Sequence, residues 1–476
     1  MKFLAFDLGA ESGRAMLGSL DSGRLTLDEL HRFPNQPVRL PTGLYWDTLR
    51  LFHEIQQGLI VCGRERRITP NGIGVDTWGV DFGFLGSDGA LVDNPRHYRD
   101  ARTQGLLERT YSVVPREEIF RQTGIQHMEF NSLFQWYSMK LASSPALTTA
   151  RTLLFLPDLF SYWLSGVARA ELTIASTSQF YNPIEKTWAK PLLASLGLDS
   201  SVLPEIVPPG TRLGSLFEYL HRTAGFSSEV PVYATASHDT ASAVTAAPAE
   251  GTDWCYISSG TWSLLGVELD SPIVNADSLA LNFTNEIGAA GRVRFLKNIA
   301  GLWILQECRR AWALEGRDYS YEELAQMAAA APPSSIYLNP DDFTSPGDMP
   351  ARIARFCRDS GVPAPVEPGP MARLVLESLA VSYRDKILSL EKLLGRPINR
   401  IHIFGGGSRN RLLNQLTADF SNKPVIAGPA EATAAGNVLV QAMGAGLVKD
   451  LDEARAIVRA SFPLERFEPR SAVHSG

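Results

Sequence analysis

Short apolar runs that stop at small or acidic residues open the chain. Residues 3–6 are apolar and end at Asp7, and two more apolar runs follow within 14–33, separated by an Asp-Ser-Gly turn. This alternation predicts strands joined as a hairpin. Apolar residues at helical spacing then predict a helix over 47–60, and 72–76 reads as a buried strand. Three strands, a helix and a strand begin an α/β layer domain.

A similar order of elements starts again near residue 254. Apolar runs at 254–258 and 262–269 flank the small-residue turn Ser259-Gly260-Thr261. Further along, 371–394 has the apolar face of a long helix, and the apolar strand 401–404 leads into three glycines. The repetition suggests an ancient duplication of one α/β unit.

We therefore predict two domains, residues 1–245 and 246–476. The Pro- and Ser-rich stretch 332–350 is typical of a surface loop, and 432–443 has the pattern of a last helix. No short repeat and no block of like charges interrupts this order.

Composition narrows the functional class. The 476 residues are 45% hydrophobic with a formal net charge of −6, which favours a folded globular protein and argues against a nucleic-acid partner. Four scattered cysteines predict neither a disulfide framework nor a cysteine zinc site. No apolar run approaches the roughly 20 residues of a membrane span, and the apolar start reaches Asp7 too early for a signal peptide. A cytoplasmic protein without membrane association is expected.

The turn at residues 7–14 is the first candidate phosphate site. The chain has no Gly-Lys pair and so no Walker-type loop, and phosphates would have to be bound by other turns. Here two glycines permit tight backbone geometry and Ser12 offers a hydroxyl. Asp7 could hold a hydrated magnesium ion, and Arg14 could pair with phosphate. The alternative is an ordinary β-turn with a solvated carboxylate.

Two further small-residue turns have the same character. Ser259-Gly260-Thr261 alone is a weak signal, since most such turns are merely turns. Gly405-Gly406-Gly407 is stronger, because three consecutive glycines are entropically costly and permit close backbone approach to a flat ligand such as adenosine.

An acid and an imidazole, Asp239 and His238, stand together in a stretch of small apolar residues. A carboxylate in such surroundings is expensive unless it is hydrogen-bonded or functional. The alternative interpretation makes Asp239 the N-cap of a helix over 240–246, and the two interpretations are compatible.

Aromatic and charged residues alternate around Trp78, Tyr98 and Phe130. Aromatic faces and polar groups are what a small polyol site needs. The alternative is a core tryptophan beside a surface salt-bridged segment. No histidine or carboxylate cluster has metalloenzyme spacing, so no metal chemistry beyond magnesium is expected.

Taken as an ordered set, these motifs resemble the FGGY carbohydrate kinases, a branch of the actin-like ATPase superfamily. The resemblance runs from about residue 3 to residue 446. It rests on the motifs Asp7-x-Gly9, Gly79-Val80-Asp81, Ser237-His238-Asp239-Thr240, Ser259-Gly260-Thr261 and Gly405-Gly406-Gly407.

The resemblance implies an α/β fold of two actin-like (ribonuclease H-like) domains with a catalytic cleft between them. ATP would lie against the second domain, and the sugar would be held mainly by the first. Asp239 would be the general base, with sugar contacts from Gly79, His238, Asp239, Thr240 and Asn298. ATP contacts would come from Ala10, Glu11, Ser12, Gly13, Arg14, Thr261, Gln306 and Gly406, with magnesium held near Asp7 through water. Glu11 departs from the family, where a small hydroxyl residue is common, and is expected to point away from phosphate or to order magnesium-bound water.

The implied activity is ATP-dependent phosphorylation of a ketose at its C1 hydroxyl, with L-rhamnulose as the first candidate. L-fuculose, L-xylulose or another polyol is the alternative within the class. A non-enzymatic actin-like ATPase is the alternative outside it, and the polar-aromatic segments count against it. The expected partners are the ketose and ATP, and the expected state is a monomer or a weak homodimer.

Overall fold

The computed structural model describes residues 1–470, which form two compact units. The first unit comprises Met1–Ala246, Glu268–Phe295 and Ala432–Ser461. The second comprises Ala247–Val267, Leu296–Glu431 and the described residues from Phe462 onward. The units are thus interleaved along the chain, and the contiguous domains 1–245 and 246–476 stay a prediction.

The structure forms strands and helices at every position where the apolar pattern predicts one. The strands are β1 (Lys2–Leu8), β2 (Ser12–Asp21), β3 (Arg24–Pro34), β4 (Val38–Leu40), β5 (Gly43–Tyr45), β6 (Ile73–Thr77), β7 (Phe82–Leu85), β8 (Thr152–Phe155), β9 (Ala170–Glu171), β10 (Tyr181–Asn182), β11 (Thr187–Trp188), β12 (Ile206–Val207), β13 (Thr211–Ser215), β14 (Pro231–Ala234), β15 (Trp254–Ser259), β16 (Trp262–Leu269), β17 (Thr284–Ile287), β18 (Val293–Ala300), β19 (Arg400–Phe404), β20 (Val425–Ala427) and β21 (Glu465–Phe467). The helices are α1 (Thr48–Ile60), α2 (Leu106–Tyr111), α3 (Arg116–Thr123), α4 (Ser132–Leu141), α5 (Ala146–Thr149), α6 (Leu156–Ser165), α7 (Leu172–Ala175), α8 (Lys190–Ser195), α9 (Glu218–Ala224), α10 (Asp239–Thr245), α11 (Ala276–Ala280), α12 (Trp303–Leu314), α13 (Tyr321–Ala330), α14 (Met349–Asp359), α15 (Pro368–Leu394), α16 (Arg411–Ser421), α17 (Ala432–Gly444) and α18 (Leu451–Ser461).

The first unit is built on a six-stranded sheet in the order β13-β14-β6-β1-β2-β3. Strand β1 pairs antiparallel with β2 and parallel with β6, which brings the carboxyl ends of β1 and β6 to one edge. Phe6 of β1, Val75 of β6 and Ile55 of α1 are buried in one apolar cluster. Helix α17 crosses α10 so closely that a Cβ on Gly436 would stand 1.7 Å from the Ser242 carbonyl oxygen.

The second unit repeats the connectivity of the first. Its strands lie in the order β18-β16-β15-β19-β20-β21, and β15 pairs antiparallel with β16 and parallel with β19. Strand β15 therefore holds the place that β1 holds in the first unit. The predicted recurrence of the α/β order is confirmed at the level of strand pairing.

The structure corrects the prediction of a surface loop over residues 332–350. The stretch 332–350 is not loop throughout, because Pro340–Phe343 forms a 3₁₀ turn and α14 already begins at Met349. All four cysteines are buried and unpaired, as their spacing predicts. Among residues 1–470, no helix has the length and apolarity to cross a bilayer.

Candidate active site

The turn after β1 is held in place by its own backbone and by Asn35. The Gly9 N–H donates to the Ser12 carbonyl at 2.9 Å, and the Asn35 side-chain amide donates to the Gly9 carbonyl at 2.8 Å. Gly13 serves packing, since a Cβ there would lie 2.3 Å from the Phe33 ring. No motif in the sequence pointed to Asn35.

Three charged residues meet where β1, β2 and β6 run side by side. Asp7 faces Arg14 across β1–β2 and faces Asp76 across β1–β6. The Arg14 guanidinium donates to Asp7 Oδ2 at 2.5 Å. Asp76 is fully buried and accepts from the Asn437 amide at 2.5 Å, while its Oδ1 has no hydrogen-bond partner. Burial, then the charges of Asp7 and Asp239, hold the pKa of Asp76 well above its usual range.

Asp239 begins helix α10 instead of preceding it. His238 is the N-cap residue and makes no side-chain cap bond, so the interpretation of Asp239 as the N-cap is wrong. Asp239 Oδ1 accepts from the backbone N–H of Thr240 at 2.5 Å and from its hydroxyl at 3.0 Å. Burial raises the pKa of Asp239; nearby His238 works to lower it, and Asp7 adds to the rise. A carboxylate with raised proton affinity suits a general base.

Behind His238 lies a buried ion pair that no sequence motif signalled. Arg294 Nη2 donates to His238 Nδ1 at 3.0 Å and lies 3.1 Å from Glu286 Oε2. The same ring nitrogen lies 3.4 Å from Glu286 Oε2, and the other ring nitrogen, Nε2, lies 3.5 Å from Asp239 Oδ1. Burial works to raise the pKa of Glu286, but the charges of Arg294 and His238 outweigh it and lower the pKa.

The Gly79 segment lies directly against this imidazole. A Cβ on Gly79 would stand 3.3 Å from His238 Nε2, closer than nearly all such contacts. The next residue, Val80, has a φ of 69°, which a β-branched side chain rarely adopts. The structure thus brings together Gly79, His238, Asp239 and Thr240, four of the five residues for which sugar contacts are predicted; the contacts themselves stay a prediction.

Asp81 organises the aromatic residues next to this segment. It accepts from the indole N–H groups of Trp46 at 2.6 Å and Trp78 at 2.9 Å, and from the Gln135 amide at 2.8 Å. The Trp46 and Trp78 rings lie 4.0 Å apart and are buried, which fits the alternative interpretation of Trp78 as a core residue. Burial raises the pKa of Asp81 to about 6.

In the second unit, the Ser259–Thr261 turn is closed against the start of α12. The Gly301 and Trp303 N–H groups both donate to the Thr261 carbonyl at 3.1 Å. A Cβ on Gly301 would lie 2.7 Å from the Trp262 carbonyl carbon, so the two segments touch through backbone. Gln306, on the same helix, keeps a buried Oε1 without a hydrogen-bond partner. A buried amide oxygen without a partner is open to a donor on a ligand.

The three glycines after β19 lie in three different environments. Gly405 has a φ of 81°, a left-handed conformation that favours glycine. A Cβ on Gly407 would lie 2.0 Å from the Ser259 hydroxyl, whereas one on Gly406 would meet nothing within 4 Å. Gly406 is therefore the position where a ligand could approach the backbone.

The predicted site residues divide between the units. The first unit holds Asp7, Ala10, Glu11, Ser12, Gly13, Arg14, Gly79, His238, Asp239 and Thr240, and the second holds Thr261, Asn298, Gln306 and Gly406. Glu11 is exposed, while Ala10, Ser12 and the strand residue Asn298 are half-buried. The residues that motif analysis missed, Asn35, Glu286, Arg294 and Asn437, act on predicted site segments through side-chain contacts across the fold.

Comparison with known proteins gives two family matches. Residues 2–246 match the N-terminal domain and residues 255–445 match the C-terminal domain of the FGGY family of carbohydrate kinases. A protein named rhamnulokinase from Bacteroides thetaiotaomicron is 45% identical over 471 residues, which cover 98% of this chain and 96% of that protein. A rhamnulokinase from Enterococcus faecalis is 41% identical over 475 residues, covering 98% and 94%.

Solved structures share the fold at low identity. Xylulose kinase from Lactobacillus acidophilus superposes with a TM-score of 0.80 at 16% identity, covering 98% of this chain and 94% of that one. Plasmodium falciparum glycerol kinase with ADP gives a TM-score of 0.79 at 15% identity, again covering 98% and 94%. These likenesses agree with the expected actin-like fold of two α/β domains.

Proposed function

Since this chain belongs to the FGGY family of carbohydrate kinases, we propose that it phosphorylates L-rhamnulose at the C1 hydroxyl with ATP. The substrate rests on near-full-length identity of 41–45% to proteins named rhamnulokinase. The chemistry rests on one observation above all. A carboxyl group of raised pKa, Asp239, lies beside the His238 imidazole, whose other ring nitrogen contacts a buried ion pair.

Asp239 is the proposed general base. Its carboxylate takes the proton of the C1 hydroxyl as that oxygen attacks the γ-phosphorus in line, the bond to the β-phosphate oxygen breaks and ADP leaves. His238 Nε2 faces the same region, and Gly79 leaves room for the sugar beside the ring. Because the transition state is loose, holding the hydroxyl in line contributes more than base strength.

The nucleotide contacts are proposed in two groups. In the first unit, the turn Ala10–Arg14 is proposed to offer backbone N–H groups to phosphate, and the Glu11 side chain in this turn is exposed. In the second unit, Thr261, Gln306 and Gly406 offer a closed turn, an orphaned amide oxygen and open backbone. Asn298 is proposed as a sugar contact.

The donor set near Asp7 fits magnesium. Carboxylate oxygens are the ligands that this ion prefers, and Asp76 Oδ1 beside Asp7 is buried without a partner. Within residues 1–470, no group of three His, Cys, Asp or Glu side chains could hold a metal ion by itself, so Asp7 would hold magnesium through water. The bound ion would supply positive charge to the phosphates.

Sugar-dependent ADP release with a panel of ketoses tests the proposal. L-rhamnulose should give a higher kcat/KM than the alternative substrates L-fuculose, L-xylulose and glycerol, each tested separately. A higher kcat/KM for another ketose would support the proposed kinase activity but identify that ketose as the substrate in place of L-rhamnulose. ADP release that no sugar stimulates would contradict the proposed reaction and favour a non-enzymatic actin-like ATPase.

A further inference from the structure

Four polar side chains on one short segment receive backbone N–H groups from three distant parts of the first unit. The segment runs from Glu171 through α7 and the 3₁₀ turn Ser176–Ser178. We propose that Glu171, Thr173, Ser176 and Thr177, here called the polar platform, are positioning residues for the sugar site. This inference rests on the proposed function, because it concerns the same site.

The first pair of contacts holds the chain just before the base. The Ser237 N–H donates to Glu171 Oε2 at 3.1 Å, and the His238 N–H donates to the Thr173 hydroxyl oxygen at 3.2 Å. Asp239 is the next residue and starts α10. The platform therefore sets the backbone from which both the imidazole and the carboxylate project.

The second contact holds a strained turn. The Val80 N–H donates to the Thr177 hydroxyl oxygen at 3.2 Å, and the Val80 carbonyl accepts from the Ser132 hydroxyl at 2.5 Å. Val80 has a φ of 69°, and such backbone persists only where surrounding contacts enforce it. Thr177 is thus one of the groups that keep Gly79 against His238.

The third contact reaches the ion pair behind the imidazole. The Ile287 N–H donates to the Ser176 hydroxyl oxygen at 2.8 Å. Its neighbour Glu286 lies 3.1 Å from Arg294, which in turn donates to His238. The platform therefore contacts the backbone of three segments: the one at Val80, the one just before Asp239 and the one just after Glu286.

The hydroxyl groups of the platform are oriented for this task. Ser176 and Thr177 donate their hydrogens to the Thr173 and Ile174 carbonyls at 2.8 Å, and Thr173 donates to Glu171 at 2.5 Å. Each of these hydroxyl groups donates its hydrogen within the segment. Its oxygen therefore remains an acceptor for the backbone N–H of His238, Ile287 or Val80. All four platform residues are buried, where a lost partner leaves a costly unsatisfied N–H.

The test compares Thr177→Val with Ser178→Ala. Ser178 is equally buried on the same segment, but its hydroxyl serves Ala175 and Phe180 and no site segment. Thr177→Val should lower kcat/KM for the sugar about tenfold or more, since small misplacements of reacting groups are that costly, and leave KM for ATP within about twofold. Ser178→Ala should leave both within about twofold, and Thr177→Ser should restore the sugar kinetics.

Amide hydrogen exchange gives a readout that does not require turnover. In Thr177→Val the Val80 amide should lose protection, while the Val80 amide of Ser178→Ala should keep it. Equal kinetic effects of Thr177→Val and Ser178→Ala, or unchanged exchange at Val80, would overturn the platform. Wild-type protein that phosphorylates none of the ketoses would instead refute the proposed function, and the exchange result would still decide the platform's structural part.

Discussion

At the residue scale, the site depends on how one imidazole is held. Arg294 and Glu286 form a buried ion pair, and both lie against His238 Nδ1, at 3.0 Å and 3.4 Å. The other ring nitrogen, Nε2, lies 3.5 Å from Asp239 Oδ1, and burial raises the pKa of Asp239. The proposed chemistry thus lies on two adjacent residues, and partners elsewhere in the chain form their surroundings.

Replacing the base tests this arrangement. Asp239→Asn keeps the shape but cannot take a proton, so kcat should fall by about 10²–10⁴ while the Kd for ATP barely changes. Steady-state kinetics and calorimetry measure the two quantities. Asp199→Asn, at an exposed carboxylate, is the control that should leave kcat unchanged. Near-normal turnover of Asp239→Asn would remove Asp239 from the mechanism.

Glu171 predicts a pH-dependent stability. Burial raises its pKa to about 7 from an ordinary 4.5, so the folded state binds this proton more tightly than the unfolded state. The resulting stabilisation is fully present below pH 4.5 and is lost as pH rises through 7. Relative to Glu171→Gln, the wild type should lose about 3 kcal/mol of unfolding free energy across that window. Urea unfolding at pH 4.5, 6 and 8 measures it, and a pH-independent difference would count against it.

At the element scale, the glycines of the short turns differ in their surroundings. Some have a left-handed backbone, some pack too closely for a side chain, and one faces open space. Gly13 and Gly407 each lie where a neighbouring side chain leaves no room for a Cβ, and Gly405 has a left-handed backbone. Only Gly406 of the run 405–407 meets open space. A glycine-rich turn is therefore not uniformly a ligand site, and each position needs its own test.

Two substitutions in one turn separate these roles. Gly406→Val should leave the unfolding free energy within about 1 kcal/mol, since nothing lies nearby, but weaken ATP binding more than sugar binding. Gly407→Ala should lower the unfolding free energy by about 1–3 kcal/mol, because its Cβ would overlap Ser259. Thermal unfolding and calorimetry measure both. Weaker sugar binding alone in Gly406→Val would reverse the assignment of ligands to the two units.

At the scale of the whole molecule, residues proposed for one reaction belong to two units. The base and its partners lie in the first unit, and three of the nucleotide contacts, Thr261, Gln306 and Gly406, lie in the second. Strands β16 and β18 pass from one unit to the other along the chain, and α17 returns to the first unit. Phosphoryl transfer requires both ligands at once, and the contacts proposed for them are divided between the units.

Binding of the two ligands should therefore be coupled. We expect the ketose to tighten binding of a non-hydrolysable ATP analogue by about 5–150-fold, the usual range for linked sites. Titration calorimetry with and without the ketose measures the coupling, and glycerol at the same concentration serves as the control. Identical analogue affinity in every case would show that the sites are independent.

The sequence by itself determined much of this protein. Period-two and helical patterns located the main strands and helices, because those patterns reflect which face of each element is buried. Small-residue turns after apolar strands indicated the proposed phosphate turns, and the Ser-His-Asp-Thr motif indicated the proposed base. Each of these features is local, and the residues that carry it are neighbours in the chain.

Only the tertiary structure decided which residues support the site. Asn437 meets Asp76 across 361 positions, Ser237 meets Glu171 across 66 and Val80 meets Thr177 across 97. Side chains that accept a distant backbone N–H have no periodicity and no motif, and Ser or Thr in a short helix is equally typical of a cap or a turn. The platform, the ion pair and the interleaving of the units come from contacts that exist once the chain has folded, which no local pattern encodes.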